Sequence, residues 1–123
     1  MKKEASYTNN CIDGIEKEYY KSGKLQIETP YANCKVNGIK KEYYESGSLA
    51  SEEHFTEGFP NGMEKDYYED GKLKIEIHFA NAKVNRAEKT YYESGKLKSE
   101  TFYTKGNPNG TTKNYDEEGN EIK

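Results

Sequence analysis

A repeat of 24 residues constrains the fold of this chain more than any other feature of the sequence. Close copies of the segment Gly38–Leu49 (GIKKEYYESGSL) begin at Gly14, Gly62, Arg86 and Gly110. Such a period is typical of arrays in which each supersecondary unit rests on its neighbours. We therefore divide the 123 residues of the single repeat domain, 1–123, into a half-repeat cap at 1–13, full repeats at 14–37, 38–61, 62–85 and 86–109, and a degenerate terminal repeat at 110–123.

Each repeat is predicted to form a β-hairpin, because strand-forming residues lie on both sides of a Ser-Gly or Asp-Gly turn. A two-residue loop at Ser22-Gly23 pairs Tyr20 with Leu25 and Lys17 with Glu28. The copies place turns at Ser46-Gly47, Asp70-Gly71 and Ser94-Gly95, and charge pairs at Lys41–Glu52, Lys65–Glu76 and Lys89–Glu100. These opposite charges favour one register, since a one-residue slip would lose all four pairs.

The connections between repeats also carry a turn signal. We predict tight turns at Asn37-Gly38, Asn61-Gly62 and Asn109-Gly110, because both residue types tolerate positive φ. This pairing brings Tyr31 opposite Tyr44, whereas Asn85-Arg86 lacks the glycine and is expected to form a different turn or a bulge. The predicted fold class is all-β: an elongated single-layer antiparallel meander of stacked β-hairpins.

Alternation along the strands divides the side chains between two faces. One face carries Tyr20, Leu25, Ile27, Tyr31 and their copies, and we expect it to be the core. The other face is amphipathic and lined with tyrosine, a residue enriched at protein interfaces. An alternative is that the tyrosines only fill the sheet. The candidate partner-binding residues are Tyr19, Tyr43, Tyr67, Tyr91, Lys41, Lys65, Glu52, Glu76, His54 and His78.

Composition and charge argue against several kinds of partner. The net charge is −3 and Arg86 is the only arginine, whereas nucleic acids and anionic lipids require a concentrated basic face. No apolar run is long enough for a membrane span, and the first residues enter the repeat without a hydrophobic signal region. We expect a protein partner and a cytoplasmic location, or an exported protein if a leader was removed.

The sequence contains no recognisable catalytic or metal-binding constellation. His54 and His78 occupy equivalent positions of successive hairpins, which lie about 10 Å apart, too far for a shared metal ion. Neither cysteine has a histidine in its own or an adjacent predicted strand, so neither has a general base. We predict that the chain is not an enzyme and has no catalytic residue, metal, cofactor or small-molecule substrate.

The two cysteines lie in roughly equivalent loops between repeats. Stacking places the backbones of Cys11 and Cys34 about 10 Å apart, which is too far for an unstrained disulfide. We therefore expect two free thiols, as in a reducing compartment. A movement of the loops is the alternative that would join them.

The repeat pattern resembles a known family. The unit Gly-x-x-Lys-x-Tyr-Tyr-x-Ser-Gly-x-Leu-x-x-Glu-x-x-Phe/Tyr, closed by Asn-Gly, resembles the bacterial variant of the MORN repeat and extends from Glu4 to Gly119. The resemblance implies a twisted sheet of stacked hairpins that acts as an interaction module. Similar arrays include antitoxin or immunity proteins of bacterial toxin systems, which implies a toxin partner; others are structural or exported proteins that act in surface or host interaction.

Overall fold

The computed structural model of this chain describes residues 2–5, 7–8, 11–80, 83–104 and 107–123, and every regular element in these ranges is a β-strand. The strands are β1 (Lys2–Glu4), β2 (Tyr7–Thr8), β3 (Cys11–Ile12), β4 (Gly14–Tyr19), β5 (Leu25–Ala32), β6 (Lys35–Val36), β7 (Gly38–Tyr43), β8 (Leu49–Thr56), β9 (Phe59–Tyr67), β10 (Leu73–Ala80), β11 (Lys83–Tyr91), β12 (Leu97–Thr104), β13 (Asn107–Tyr115) and β14 (Glu121–Ile122).

The strands form one open antiparallel sheet that follows the order of the chain. Twelve strands belong to it, in the order β1, β4, β5 and β7 to β14, with β6 beside β5. Strands β2 and β3 pair only with each other, as a separate small hairpin. The all-β meander of stacked hairpins predicted from the repeat is confirmed.

The register within the hairpins agrees with the predicted charge pairs. Lys17 lies directly opposite Glu28 between β4 and β5. The equivalent pairs recur in the next three hairpins, at Lys41–Glu52, Lys65–Glu76 and Lys89–Glu100. The opposite charges thus identified the correct register, although the side chains nearer the turn are paired differently from the prediction.

The turn within each hairpin has three residues, not the predicted two. In the first hairpin, the backbone N–H of Gly23 donates to the carbonyl of Tyr20, and the N–H of Tyr20 donates to the carbonyl of Lys24, both at 2.9 Å. This is a type I turn followed by a residue in the left-handed region, where Gly23 has φ of 91°. The turn positions are as predicted, but the predicted pairing of Tyr20 with Leu25 is wrong.

This turn changes the face on which leucine lies. Leu25 is opposite Tyr19, and a bulge follows before Ile27 meets Glu18. Residues directly opposite each other project from the same face, so Leu25 joins the face of Tyr19, while Ile27 remains on the other. The same shift recurs in the other complete hairpins, which place Leu49, Leu73 and Leu97 opposite Tyr43, Tyr67 and Tyr91.

The predicted core face of Tyr20, Leu25, Ile27 and Tyr31 is therefore wrong. No apolar side chain of the described residues is buried, because a single layer leaves both faces open to solvent. The buried residues are instead polar: Glu16 is 8% exposed, Thr29 4% and Ser51 7%. The sheet depends on half-buried side chains that pack along each face, together with its backbone hydrogen bonds.

The turns between repeats lie earlier than predicted. Tyr31 pairs with Val36, so the chain reverses at Asn33 and Cys34, where φ is 53° and 70°. The next connection reverses at Glu57 and Gly58, with φ of 48° and 91°. Positive φ at both central residues defines the two-residue hairpin turn of type I′. The predicted turns at the Asn-Gly pairs, and the pairing of Tyr31 with Tyr44, are therefore wrong.

The Asn-Gly pairs introduce irregularities within the sheet instead. The register between β8 and β9 shifts between Glu53 and Phe55, and Gly62 in β9 has φ of 108°. A Cβ at Gly62 would lie 3.1 Å from the Cβ of His54, so a larger residue is also disfavoured by contact with the neighbouring strand. Asn85-Arg86, which lacks the glycine, lies opposite a similar shift between Ile77 and Phe79, as the bulge alternative predicted.

Cys11 and Cys34 form a disulfide, with Cα atoms 4.9 Å apart. The expectation of two free thiols is therefore wrong, and the geometry of the next repeat explains why. The equivalent residues of the next repeat, 24 positions later, are Lys35 and Gly58. A Cβ atom at Gly58 would lie 3.9 Å from the Cβ atom of Lys35. These positions are thus neighbours in successive repeats, at the Cβ separation that a disulfide needs.

Candidate functional site

One face of the sheet carries an unbroken row of alternating charges, which we name the charge ladder. Lysine and glutamate face each other within hairpins and also between successive hairpins, as Glu52 does with both Lys41 and Lys65. Successive rungs are about 4.8 Å apart, the spacing of neighbouring strands. The ladder consists of Glu4, Lys17, Glu28, Lys41, Glu52, Lys65, Glu76, Lys89, Glu100 and Lys113.

A row of tyrosine and leucine, the aromatic row, lies beside the ladder towards the hairpin turns. Its pairs are Tyr19–Leu25, Tyr43–Leu49, Tyr67–Leu73 and Tyr91–Leu97. The hydroxyl of Tyr67 donates to the Glu52 carboxylate at 2.8 Å, and that of Tyr43 donates to Glu28 at 3.3 Å. Each bond joins a tyrosine to the charge of the preceding repeat, so the two rows hold each other in place.

These contacts further disfavour ionisation of the tyrosines, whose ordinary pKa of 10 already leaves them neutral at physiological pH. Burial, the hydrogen bond to Glu52 and the charges of Glu52 and Glu76 raise the pKa of Tyr67 to about 12. Burial and the Glu28 charge also raise the pKa of Tyr43. Both rings therefore remain hydrogen-bond donors at physiological pH, with a large apolar surface beside a polar tip, as is typical of interface residues.

A third row lies on the other side of the ladder and is largely apolar. We name this the apolar row, and it contains the pairs Ile15–Pro30, Ile39–His54, Met63–His78 and Ala87–Phe102. Ile15 and Ile39 are 52% and 41% exposed. Two shallow grooves run from this row to the ladder. One, of about 250 Å³, is lined by Ile15, Glu28, Pro30, Ile39 and Lys41, and the other, of about 350 Å³, by Met63, Glu76, His78, Ala87, Lys89, Glu100 and Phe102.

The three rows together form the ladder face, and all ten predicted binding residues lie on it. Four of the ten are in the aromatic row, four are in the charge ladder, and His54 and His78 are in the apolar row. Sequence reasoning missed the leucines of the aromatic row and residues such as Ile39 and Phe102. The signal for the leucines was the Tyr-x-Ser-Gly pattern. Glycine as the fourth residue of a type I turn predicts the three-residue loop that moves leucine to this face.

The opposite face is packed differently. Its buried residues, Glu16, Thr29 and Ser51, are polar, and the Ser51 hydroxyl donates to Glu42 at 3.1 Å. Burial and the charges of four nearby carboxylates raise the pKa of Glu64 to about 7; these neighbours are Glu53, Asp66, Glu88 and Glu42. This face carries Ile27, Ile77 and Phe79 together with concentrated negative charge, whereas the charges of the ladder face alternate in sign.

The second tyrosine of each repeat has a structural role. The hydroxyl of Tyr20 donates at 2.6 Å to the backbone carbonyl of Tyr43 in the next repeat. The same bond recurs from Tyr44 to Tyr67, from Tyr68 to Tyr91 and from Tyr92 to Tyr115, at 2.6 to 2.7 Å. The tyrosine pair therefore divides its work, since one ring faces solvent beside the ladder and the other joins successive repeats.

The chemistry of a metal site is not assembled in the part of the chain that the structure describes. His54 lies on β8 and His78 on β10, with β9 between them, and no group of three or more His, Cys, Asp or Glu residues is placed to hold a metal ion. The Nδ1 atom of His78 is buried without a hydrogen-bond partner among the described residues. No helix in the described ranges is long and apolar enough to cross a membrane.

Comparison with known proteins assigns the repeats to a family. A family model described as MORN repeat variant matches residues 12–33, 36–57, 60–81 and 87–105, which is more than half of the chain. Repeats of this kind generally act as modules that bind proteins or membranes. No curated protein matches the chain. The matched repeats contain the aromatic row and nearly all of the charge ladder.

Proposed function

Because this chain belongs to the MORN repeat variant family, we propose that it is a non-catalytic protein-binding module that neutralises a bacterial toxin, as an antitoxin or immunity protein, by covering part of the toxin surface. The ladder face is the proposed binding surface. The partner-binding residues are those predicted from the sequence, together with the leucines of the aromatic row.

The observation that carries this proposal is the tyrosine row held against the charge ladder. Tyr43 and Tyr67 are fixed by their hydrogen bonds to Glu28 and Glu52, so little rotational freedom remains to be lost when a partner binds. Rigid tyrosines within a partly apolar surface are typical of binding hot spots. The alternating charges on the same face would select the partner by complementarity.

The charge pattern favours a protein over a nucleic acid. Each lysine of the ladder has glutamates on its neighbouring strands, so this face presents no continuous positive potential. Phosphate backbones are bound by concentrated lysine and arginine. A protein surface, in which both signs of charge are interspersed with apolar groups, is the better match.

A second candidate function is supported by the disulfide. Cys11 and Cys34 are bonded, and disulfides persist chiefly in oxidising compartments. This favours the exported alternative, a structural or surface-interaction repeat protein, over the cytoplasmic location predicted from the sequence. An immunity protein that meets its toxin outside the cytoplasm would also be consistent with the disulfide.

The test uses the product of the gene adjacent to this one. We expect its expression to arrest bacterial growth and co-expression of this chain to restore growth. Tyr43→Ala combined with Tyr67→Ala should weaken binding to that product by more than tenfold, equivalent to about 1.4 kcal/mol, and abolish the rescue. The matched control is Tyr31→Ala combined with Tyr103→Ala, which removes two tyrosines from the opposite face and should leave binding intact.

Circular dichroism of both double variants separates loss of binding from loss of folding. A folded Tyr43/Tyr67 variant that still binds would place the site away from the ladder face. A neighbouring product that does not arrest growth, or that arrests it despite tight binding by this chain, would contradict the antitoxin role. A neighbouring adhesin or secretion component bound through the ladder face would favour the second candidate.

A further inference from the structure

The charge ladder is complementary to itself, and we propose that the ladder face binds the same face of a second copy of this chain. The ladder alternates in sign at every strand. A two-fold axis that runs parallel to the strands, midway between two rungs, therefore places every glutamate of one copy opposite a lysine of the other. Two sheets pack about 10 Å apart, a distance that these side chains span together.

The position of the axis follows from the number of rungs. Ten rungs are described, and an axis between Glu52 and Lys65 has five of them on each side. Lys65 then faces Glu52 of the second copy, and Lys41 faces its Glu76. A two-fold axis along the ladder would instead place each rung opposite the same residue of the second copy. Like charges would then meet, an arrangement that is strongly disfavoured at an interface.

The same axis matches the other two rows. It preserves height along the strands, so the aromatic row meets the aromatic row and the apolar row meets the apolar row. Tyr67 then lies opposite Leu49 of the second copy, because these residues occupy the strands on either side of the axis. Met63 likewise lies opposite His54. The contact would cover exposed apolar surface such as Ile39, which is 41% exposed.

A second copy fits this face because its charges have the required spacing. A partner must reverse sign every 4.8 Å or so across the ladder, which is the distance between neighbouring strands of a sheet. The chain itself supplies a surface with that spacing and with apolar rows on both sides. The inference is independent of the proposed toxin, although a toxin bound to the ladder face would compete with the second copy.

Sedimentation equilibrium of the full chain tests the proposal. We expect the mean mass to rise from that of one chain towards twice that value as the protein concentration increases to about 1 mM. At that concentration, a dimer with a dissociation constant of about 1 mM is substantially populated. Lys65→Glu and Glu52→Lys should each weaken dimerisation at least about tenfold, because each places like charges across the axis. Each change also creates two like-charged neighbours within its own chain, and Glu52→Lys additionally removes the hydrogen bond that Glu52 accepts from Tyr67.

The decisive measurement mixes these two variants. An equimolar mixture of Lys65→Glu and Glu52→Lys should form a heterodimer, because every changed rung then meets its opposite charge. The double variant Glu52→Lys/Lys65→Glu should dimerise on its own for the same reason, and it serves if a single variant fails to fold. Glu53→Lys, on the opposite face next to Glu52 in the sequence, is the control and should leave the dimer intact.

Three results would overturn the inference: a wild-type chain that stays monomeric throughout, single variants that dimerise as wild type does, or a mixture that remains monomeric. Circular dichroism of each variant confirms that the sheet is present. A monomeric wild-type chain that still neutralises its toxin would overturn self-association and leave the proposed function standing. A chain that dimerises as expected but neutralises no toxin would support self-association and contradict the proposed function.

Discussion

The two adjacent tyrosines of each repeat show how a single residue step separates structure from surface. Tyr43 is in the aromatic row and donates to the Glu28 carboxylate, whereas Tyr44 donates to the backbone carbonyl of Tyr67. The first bond leaves the ring on an open face. The second satisfies a main-chain acceptor that would otherwise lose a partner, so the identical side chains carry different energetic weights.

Glu64 is the residue whose ionisation conflicts most with its surroundings. Its pKa is about 7 in the folded sheet, against 4.5 ordinarily, because burial and neighbouring carboxylates disfavour the charge. A group whose pKa is raised on folding contributes stability that is full below about pH 4.5 and is lost as the pH rises to 7. Above that range, the charged Glu64 destabilises the sheet.

We predict that Glu64→Gln raises the free energy of unfolding at pH 8 by about 1 kcal/mol, a value reduced from the full pKa shift because the side chain is only half-buried. At pH 4.5 the change should have little effect, since the glutamate is then largely protonated in the folded state. Urea unfolding of both proteins at the two pH values measures the difference.

The control for this prediction is Glu69→Gln, which makes the same chemical change at an exposed turn. Its effect should stay within about 0.5 kcal/mol at both pH values. An equal effect of the two substitutions, or a stabilisation by Glu64→Gln that is larger at pH 4.5 than at pH 8, would contradict the raised pKa of Glu64.

The candidate site was largely predictable at the residue scale because alternation needs only a correct register. The repeated Lys17–Glu28 pair supplied that register, so Tyr43, Lys65 and the other predicted residues were assigned to one face together. The leucines were misplaced because a bulge after Leu25 interrupts the alternation. An added residue in one strand reverses the facing of every side chain beyond it, which a simple two-residue period does not anticipate.

At the scale of the elements, the hairpin is a reliable unit and its connections are not. The turn at Gly23 was located by its glycine, but its length was predicted as two residues, although glycine at the end of Tyr-x-Ser-Gly favours the three-residue loop that forms. Between repeats, Asn33 and Cys34 adopt positive φ although neither is glycine, and at the stronger Asn37-Gly38 signal the chain continues from β6 into β7 without reversing. Local turn propensity was overridden there by the register that the flanking strands adopt.

The bond between successive hairpins gives a prediction at this scale. Tyr44→Phe removes a 2.6 Å hydrogen bond that the carbonyl of Tyr67 accepts in a partly buried position. We expect the free energy of unfolding to fall by about 1 to 2 kcal/mol. Tyr19→Phe removes an exposed bond to Glu4, whose carboxylate water can solvate, and should have a clearly smaller effect.

Chemical unfolding of the two phenylalanine variants, monitored by circular dichroism, makes this comparison at constant residue type. Equal losses would mean that the hydroxyl of Tyr44 contributes no more than an exposed one. In that case, the packing of the ring rather than its hydrogen bond would explain why the second tyrosine recurs in successive repeats of this chain.

At the scale of the whole molecule, stability is distributed along one dimension. Each hairpin contacts the hairpins before and after it in the sheet order, and no apolar core among the described residues joins distant repeats. The period of 24 residues was sufficient to predict this architecture, because a unit that cannot bury its own surface must stack on its neighbours. The small hairpin of β2 and β3 departs from the sheet and is connected to the first repeat through Cys11 and Cys34.

The last prediction concerns how far the influence of this disulfide extends. Reduction, or Cys11→Ala with Cys34→Ala, should destabilise the segment around β3 to β6 by up to about 3 kcal/mol, the value expected for a cross-link that closes a loop of this size. Because coupling passes only between neighbouring repeats, β10 to β12 should keep their stability. Hydrogen exchange of backbone amides, resolved by segment, should therefore accelerate in the first repeat and remain unchanged in the fourth.

The double alanine variant provides the internal control for the reducing agent, since its exchange should not respond to reduction. Acceleration of equal size in every repeat would show that the sheet unfolds as one cooperative unit, and the one-dimensional description would then fail. Acceleration confined to the first repeat would instead mean that loss of the covalent link leaves the ladder face intact from β7 to β12, which contains Tyr43 and Tyr67. Partner binding through those tyrosines should then survive in reducing conditions.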